Sequence, residues 1–361
     1  MKRSYKVSSA LVTAVCVIGS AYGAQPSDVV QSDSLYNTAM GTDALLNNVG
    51  NSNTAAGFQA LASNTSGYVN AAFGSGALAT NTSGAFNSAF GSGALEFSNG
   101  NMNAAFGNAV LSSNDNGNSN TGVGAYSLWS NSQGSYNTAT GNAALSFNVG
   151  GSNNTAAGFN SALHNLFGND NTAMGANALL NNQGGSLNIA VGYYAGSGVR
   201  GGNYNIEIGN VGTANDVGTI RIGTASQQSS VYVAGVSSSH VTGAAVYVTP
   251  TGQLGVLASS ERYKTNVASL GASTEKLAKL RAVSFSLKSD PKAGRQYGLI
   301  AEEVAKVYPE LVIRNEAGQA EGVRYEELAP MLLNEVQQQR RELQALKQQV
   351  AQLQGLQRGM H

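Results

Sequence analysis

The sequence predicts a mainly β fold, a solenoid of stacked parallel coils, followed by a separate C-terminal α+β domain that ends in a coiled coil. Three observations carry this prediction. A pentapeptide, Asn-x-Ala-x-Gly, recurs at a fixed spacing between Tyr36 and Gly209; charge is concentrated after residue 257; and the last segment repeats its apolar residues every seven positions.

The first element is not part of the fold. Lys2, Arg3 and Lys6 precede an uncharged apolar run from Ala10 to Ile18 and then a stretch of small residues ending at Gly23. This is the pattern of a secretory signal peptide over residues 1–23, and the run falls short of the roughly 20 apolar residues of a spanning helix. The expected location is therefore secreted or cell surface, by bacterial export, with no evident membrane anchor once the signal is removed. Cys16, the only cysteine, lies inside the signal, so the mature chain is expected to have neither disulfide nor thiol chemistry.

Lys+Arg and Asp+Glu are equal at 20 each, and loss of the three basic signal residues leaves 17 against 20, a formal charge of −3. Nothing in this balance recruits nucleic acid or an anionic membrane. The average hides a division, because residues 24–257 hold 8 acids with only Arg200 and Arg221 as bases, whereas residues 258–361 hold 12 acids and 15 bases. Two regions of different physics meet near residue 258.

Residues 24–218 form the solenoid. The repeat asparagines are Asn37, Asn53, Asn70, Asn87, Asn103, Asn120, Asn137, Asn154, Asn171, Asn188 and Asn205, spaced 16 or 17 residues apart. The central alanine is replaced only at Gly122 and Glu207. Small-apolar pairs such as Ala60-Leu61, Ala77-Leu78 and Ala94-Leu95 follow, and an Asn/Gly/Ser-rich turn closes each unit, which suggests two short strands and two turns per coil. Period-two reading puts the bulky fourth position inside the coil: Met40, Phe73, Phe90, Phe106, Val123, Met174, Val191 and Ile208. The asparagines are open to two readings, as plain turn formers or as a column sharing amide hydrogen bonds. Eleven coils at about 4.8 Å each give a rod on the order of 50 Å long. So thin an interior predicts that several chains associate.

Residues 219–257 alternate in strand fashion at Thr219–Gly223, Ser230–Gly235 and Val246–Gly255, with Gly and Pro between them, and are expected to cap the solenoid or form its neck. Residues 258–361 are helical in pattern over 274–280 and 301–308, and a last helix begins near Tyr325. From Leu332 to about residue 356 the apolar residues Val336, Leu343 and Val350, with Leu332, Leu346 and Leu353, follow a heptad expected to hold chains in parallel.

The repeat, typified by Leu187-Asn188-Ile189-Ala190-Val191-Gly192, resembles the head of the YadA-type trimeric autotransporter adhesins over roughly residues 36–223. That resemblance implies a left-handed parallel β-roll, a homotrimer and an adhesive role. Three later stretches, Ala258–Asn266, Gln296–Val304 and the terminal heptads, together resemble the endosialidase-type intramolecular chaperone domain of phage tailspikes and fibres. This second resemblance implies trimerisation, assistance to folding of the preceding β-structure, and self-cleavage by a serine-lysine dyad.

Carried onto this sequence, the dyad is Ser259 as nucleophile and Lys264 as base. Ser260 stands where aspartate is frequent in that family; Arg262, Gln296 and Glu302 are supporting candidates. A serine hydroxyl needs a base, and a lysine serves as one only when neutral, which burial and neighbouring positive charge both favour. Arg262 could provide the charge and trimer closure the burial.

No cofactor or metal is expected, since His164, His240 and His361 are scattered. Trp129, Tyr68, Tyr126 and Tyr136 are either filler or surfaces for sugar stacking. The expected function is a secreted, adhesin-like trimeric fibre with a self-removing chaperone, its partners being its own copies and an extracellular receptor, glycan or matrix protein. The alternatives are a polysaccharide-degrading spike with the same chaperone, for which the dispersed acids of the shaft give no pair, and a phage-derived virion fibre, which the signal peptide disfavours.

Overall fold

The computed structural model describes residues 31–225, 227–234, 236, 242–249, 251–288, 294–315 and 317–358; the signal segment and Cys16 lie outside them. The chain divides into two compact units, Met1–Ser237 and Ser238–His361.

The first unit is a parallel β-solenoid. Each Asn-x-Ala-x-Gly supplies one three-residue strand, from Thr38–Met40 to Ile206–Ile208, and each strand pairs in parallel with the next coil's strand in strict register, Ala89 opposite Ala105 and Ala156 opposite Ala173. The strand Ile220–Ile222 joins the same sheet beyond the last pentapeptide. An antiparallel strand, Gln31–Ser32, covers the opposite edge.

Only one strand per coil forms, not the expected two. The Ala-Leu segment is a stack of turns, because its leucines adopt left-handed backbone, as Leu61 (φ 52°), Leu78 (φ 54°) and Leu95 (φ 54°) show. These residues still bond coil to coil, Leu61 N–H to the Ala77 carbonyl and Leu78 N–H to that of Ala94, each at 3.0 Å. A left-handed leucine costs about 1–2 kcal/mol. Full burial of its side chain contributes about 1.5–3 kcal/mol, so the strained turn survives.

The interior is also the reverse of the expected one. Asparagine and alanine at positions one and three point inward with the Ala-Leu pair, while the bulky fourth position faces out: Phe90 is 37 % exposed. The phase error comes from equating bulk with interior. The coil is so flat that leucine from the turn segment already fills it, leaving room opposite only for a methyl group, and a one-residue change of phase exchanges the faces of a strand.

The buried asparagines form ladders and are not simple turn residues. Asn137 donates from Nδ2 to the Gly151 carbonyl (2.8 Å) and to Asn120 Oδ1 (3.1 Å), while its own Oδ1 accepts the N–H of Asn154 (3.0 Å). A second column, Asn114, Asn131, Asn148 and Asn165, runs beside it, linked by amide bonds such as Asn148 to Asn131 (2.6 Å). At the start of the shaft Asp33 stands in for the missing coil, accepting from the Asn37 backbone (2.9 Å) and side chain (3.0 Å).

Close stacking dictates the fifth-position glycines. Gly158 has φ +137°, and a Cβ there would lie 2.6 Å from the Gly175 carbonyl group. Gly122 answers a different need: Val110 replaces the usual alanine of the turn segment, and a Cβ at Gly122 would sit 2.5 Å from Val110 Cγ1. Gly122→Ala is therefore expected to destabilise the shaft by about 1–3 kcal/mol through overpacking. Val110→Ala in the same chain should recover most of it, as the melting temperatures of the two single variants and the double variant would show.

Beyond the solenoid, Tyr247–Val248 and Leu254–Gly255 form a small hairpin, whereas residues 230–234 carry no regular strand. In the second unit a 3-10 helix replaces the α-helix expected near 274–280, spanning Gly271–Lys279. A hairpin of Val283–Phe285 with Gln296–Gly298 leads to the helix Ala301–Val307, and a second hairpin, Val312–Arg314 with Ala320–Val323, leads to the long helix Tyr325–Arg358. Val304, Tyr308, Leu311, Val312 and Val323 are its small core. The Tyr308 hydroxyl donates to the Ser273 carbonyl (2.9 Å), and Asn334 on the long helix donates to Thr274 Oγ1 (2.7 Å).

Candidate functional site

The segment carrying the sequence-predicted dyad is short and local. A single 3-10 turn, Glu261–Tyr263, separates the two residues: the Tyr263 N–H donates to the Ser260 carbonyl (3.1 Å) and the Lys264 N–H to that of Glu261 (2.9 Å). Ser260 and Lys264, flanking the turn, are both extended, with φ −66° and −117°. Asn266 then takes a left-handed conformation, φ 54°, which asparagine tolerates.

Every residue from Thr251 to Leu270 is exposed. Neither the Ser259 hydroxyl nor the Lys264 amine has a hydrogen-bond partner among the described residues. The Arg262 guanidinium lies 4.7 Å over the Tyr263 ring, a cation–π contact that fixes its position beside the turn.

The supporting candidates belong to the folded part of the same unit. Gln296 is half-buried in its hairpin opposite Phe285, and Glu302 is exposed in the first turn of Ala301–Val307. Glu302 lines a shallow, open pocket with Phe285, Leu299, Gly322 and Tyr325. The Tyr325 hydroxyl holds that rim by accepting the Leu299 N–H (2.7 Å), and a Cβ on Gly298 would strike it at 2.6 Å. No hydrogen bond or ion pair joins Ser259 or Lys264 to Gln296 or Glu302 among the described residues. What the single chain presents is a serine and a lysine on either side of one solvent-facing turn.

The long helix bears its heptad residues uncovered: Leu332, Val336, Leu343, Leu346, Val350 and Leu353 are all exposed. Among the described residues no helix is long and apolar enough to cross a membrane, and no three His, Cys, Asp or Glu side chains gather as metal ligands.

One charged cluster escaped the sequence reading. Glu207, Asp216 and Arg221 converge on the last coil, where Arg221 grips Asp216 through Nε (2.8 Å) and Nη2 (2.7 Å). Its signal was present, since Glu207 is one of the two departures from the central alanine.

No curated protein matches the chain. Residues 259–313 match the family described as chaperone of endosialidase, a match that begins on Ser259 and takes in Lys264, Gln296 and Glu302.

Proposed function

We propose that the chain is an exported, adhesin-like fibre protein that works as a homotrimer, and that residues 258–361 promote assembly and then sever themselves from the shaft at Ser259. The observation that carries this reading is the apolar column on the outside of the solenoid sheet. Phe73, Phe90 and Phe106 stack nearly parallel with ring centroids 4.8 and 5.1 Å apart and lead into Val123. After Thr140 and Ala157 the column resumes with Met174, Val191 and Ile208, and these bulky members remain part-exposed. An exposed apolar stripe of this kind, broken only at Thr140 and Ala157, marks a surface that another chain covers. Covering the exposed part of each such side chain contributes about 1 kcal/mol. Repeated over those coils, that adds to the cohesion of a thin interior of alanine, asparagine and leucine.

Three is the number that both resemblances imply, and the uncovered heptad of Tyr325–Arg358 supports a parallel bundle at the other end of the chain. The match to the chaperone of endosialidase family supports the division of labour. In this reading burial of Lys264 by neighbouring chains activates Ser259, so that cleavage waits for assembly. The freed shaft meets an extracellular receptor, glycan or matrix protein.

Sedimentation equilibrium is expected to return three chains per particle. Phe90→Asp, which places a charge in the middle of the column, is expected to shift the shaft to monomer while leaving each coil's interior intact. A wild-type monomer with full β-signal would overturn the trimer.

A further inference from the structure

The solenoid interior ends on a carboxylate. Along the sheet the inward third position reads alanine in coil after coil, then Ala190 pairs with Glu207, and Glu207 with Arg221. Glu207 is 1 % exposed, and neither of its carboxylate oxygens has a hydrogen-bond partner.

Space for this side chain is made by two glycines. A Cβ on Gly212 would come within 2.9 Å of Glu207 Oε1 and 3.0 Å of Val199 Cγ2, and one on Gly196 within 2.9 Å of Leu179 Cδ2 and 3.6 Å of Glu207 Cγ. The carboxylate thus lies beside Gly212, beneath the loop that carries it. Arg221 approaches only to 4.0 Å, because its fork is committed to Asp216, which also accepts from the Thr213 N–H (2.7 Å) and hydroxyl (2.9 Å).

Charged neighbours facing Glu207 are few. From the strand Ile220–Ile222 comes Arg221, from the loop between the strands comes Asp216, and the preceding coil contributes none. Burial, and after it the negative charge of Asp216, pushes the Glu207 carboxyl up to about 7, against the opposing pull of Arg221. Asp216 is held down at about 2, chiefly by the Arg221 fork.

We propose that Glu207 is a proton-operated latch on the end of the shaft: as the neutral acid it seals the last coil, residues 206–222, and as the carboxylate it loosens that coil as a unit. An acid whose pKa is higher when folded binds its proton more tightly there, so its contribution is present below pH 4.5 and is lost as pH rises through about 7. Asp216 works in the opposite sense, its contribution being lost only as pH falls from 3.8 towards about 2. The latch is therefore tight in mild acid and slack above neutrality. This inference stands apart from trimerisation and cleavage.

Hydrogen–deuterium exchange of the full chain at pH 5.5 and 8.5, corrected for intrinsic exchange and referenced to residues 137–154, tests it. Opening of 206–222 is expected to rise on the order of thirtyfold across that range, from values of 4.5 when open and about 7 when closed. Glu207→Gln should abolish the rise, because amide and neutral acid share shape and do not titrate. Glu207→Ala, which restores the residue found in other coils, should abolish it too and guards against misfolding of the first variant. Asp216→Asn should move the rise to lower pH by freeing Arg221 for Glu207. An equal rise in wild type and both Glu207 variants, or none in wild type, would overturn the latch.

Discussion

Expressed intact and then denatured, the chain is expected to separate into a long piece ending at Ala258 and a short piece of about a hundred residues beginning at Ser259. Attack by the Ser259 hydroxyl on the Ala258 carbonyl closes a five-membered ring, which makes that bond the favoured one. Its C–N bond then breaks to leave Ala258 as an ester on Ser259 Oγ with a free Ser259 amine, and water hydrolyses the ester to release the Ala258 carboxylate and restore the hydroxyl. Removing an activated nucleophile or its base costs at least about a thousandfold in rate. Ser259→Ala and Lys264→Ala are therefore each expected to give a chain that stays whole by intact-mass spectrometry. Neither side chain is packed in a core, so both variants should still assemble. Ser260→Ala should cleave nearly normally, since Ser260 serves the adjoining turn through its backbone carbonyl and not its hydroxyl. Cleavage of the Ser259→Ala chain at the same bond would remove the dyad and leave the C-terminal unit as a clamp only.

The second large effect is expected inside the shaft. Asn137→Leu would leave the Asn154 N–H without its acceptor, and would take one of two donors from the Gly151 carbonyl, which keeps Asn148, and one of two acceptors from the Asn154 amide, which keeps Gly168. A buried group left unpaired costs about 1–3 kcal/mol and the two weakened groups add to it, so the variant should lose roughly 2–4 kcal/mol, with a clear fall in melting temperature by far-ultraviolet circular dichroism. Thr138→Ala, one residue along on the exposed face, should change stability by about 0.5 kcal/mol or less. Equal effects from the two substitutions would mean that the ladder carries no particular load.

These contrasts show where the sequence was legible. The spacing of the asparagines located every strand of the pentapeptide series, because a stacked coil cannot vary its length without breaking register. It did not say which face was inside. Phe73, Phe90 and Phe106 carry the hydrophobicity, and only the depth of the coil, set by leucines in left-handed turns, excludes them from the interior. Left-handed leucine leaves no mark in the sequence, since composition-based reading reserves that conformation for glycine and asparagine.

Around Ser259 the case is different. The resemblance of Ala258–Asn266 to the endosialidase-type chaperone domain, and not the spacing alone, pointed to a serine and a lysine five positions apart, and the structure sets them on either side of one turn. Burial is a property of the surroundings and not of the motif, so the environment that the proposed dyad needs was never in the six residues Ser259–Lys264. Glu207 was visible as an exception to the repeat, but its meaning depends on a loop that curls back from Gly209 to Gly218 to close over it.

The two 16-residue coils deserve comparison with their 17-residue neighbours. In the first of them, Asn48-Val49-Gly50 stands where the next coil has Asn64-Thr65-Ser66-Gly67, beginning on an equivalent asparagine, half-buried at Asn48 and buried at Asn64, and ending on an equivalent glycine, so the missing residue is absorbed on the outer turn. Amide columns, by contrast, accept only whole units: insert or remove one complete coil and every donor again finds an acceptor one level below. The length of the shaft is consequently a quantity that inheritance can adjust in steps of about 4.8 Å, altering how far the protein reaches without re-solving how it folds.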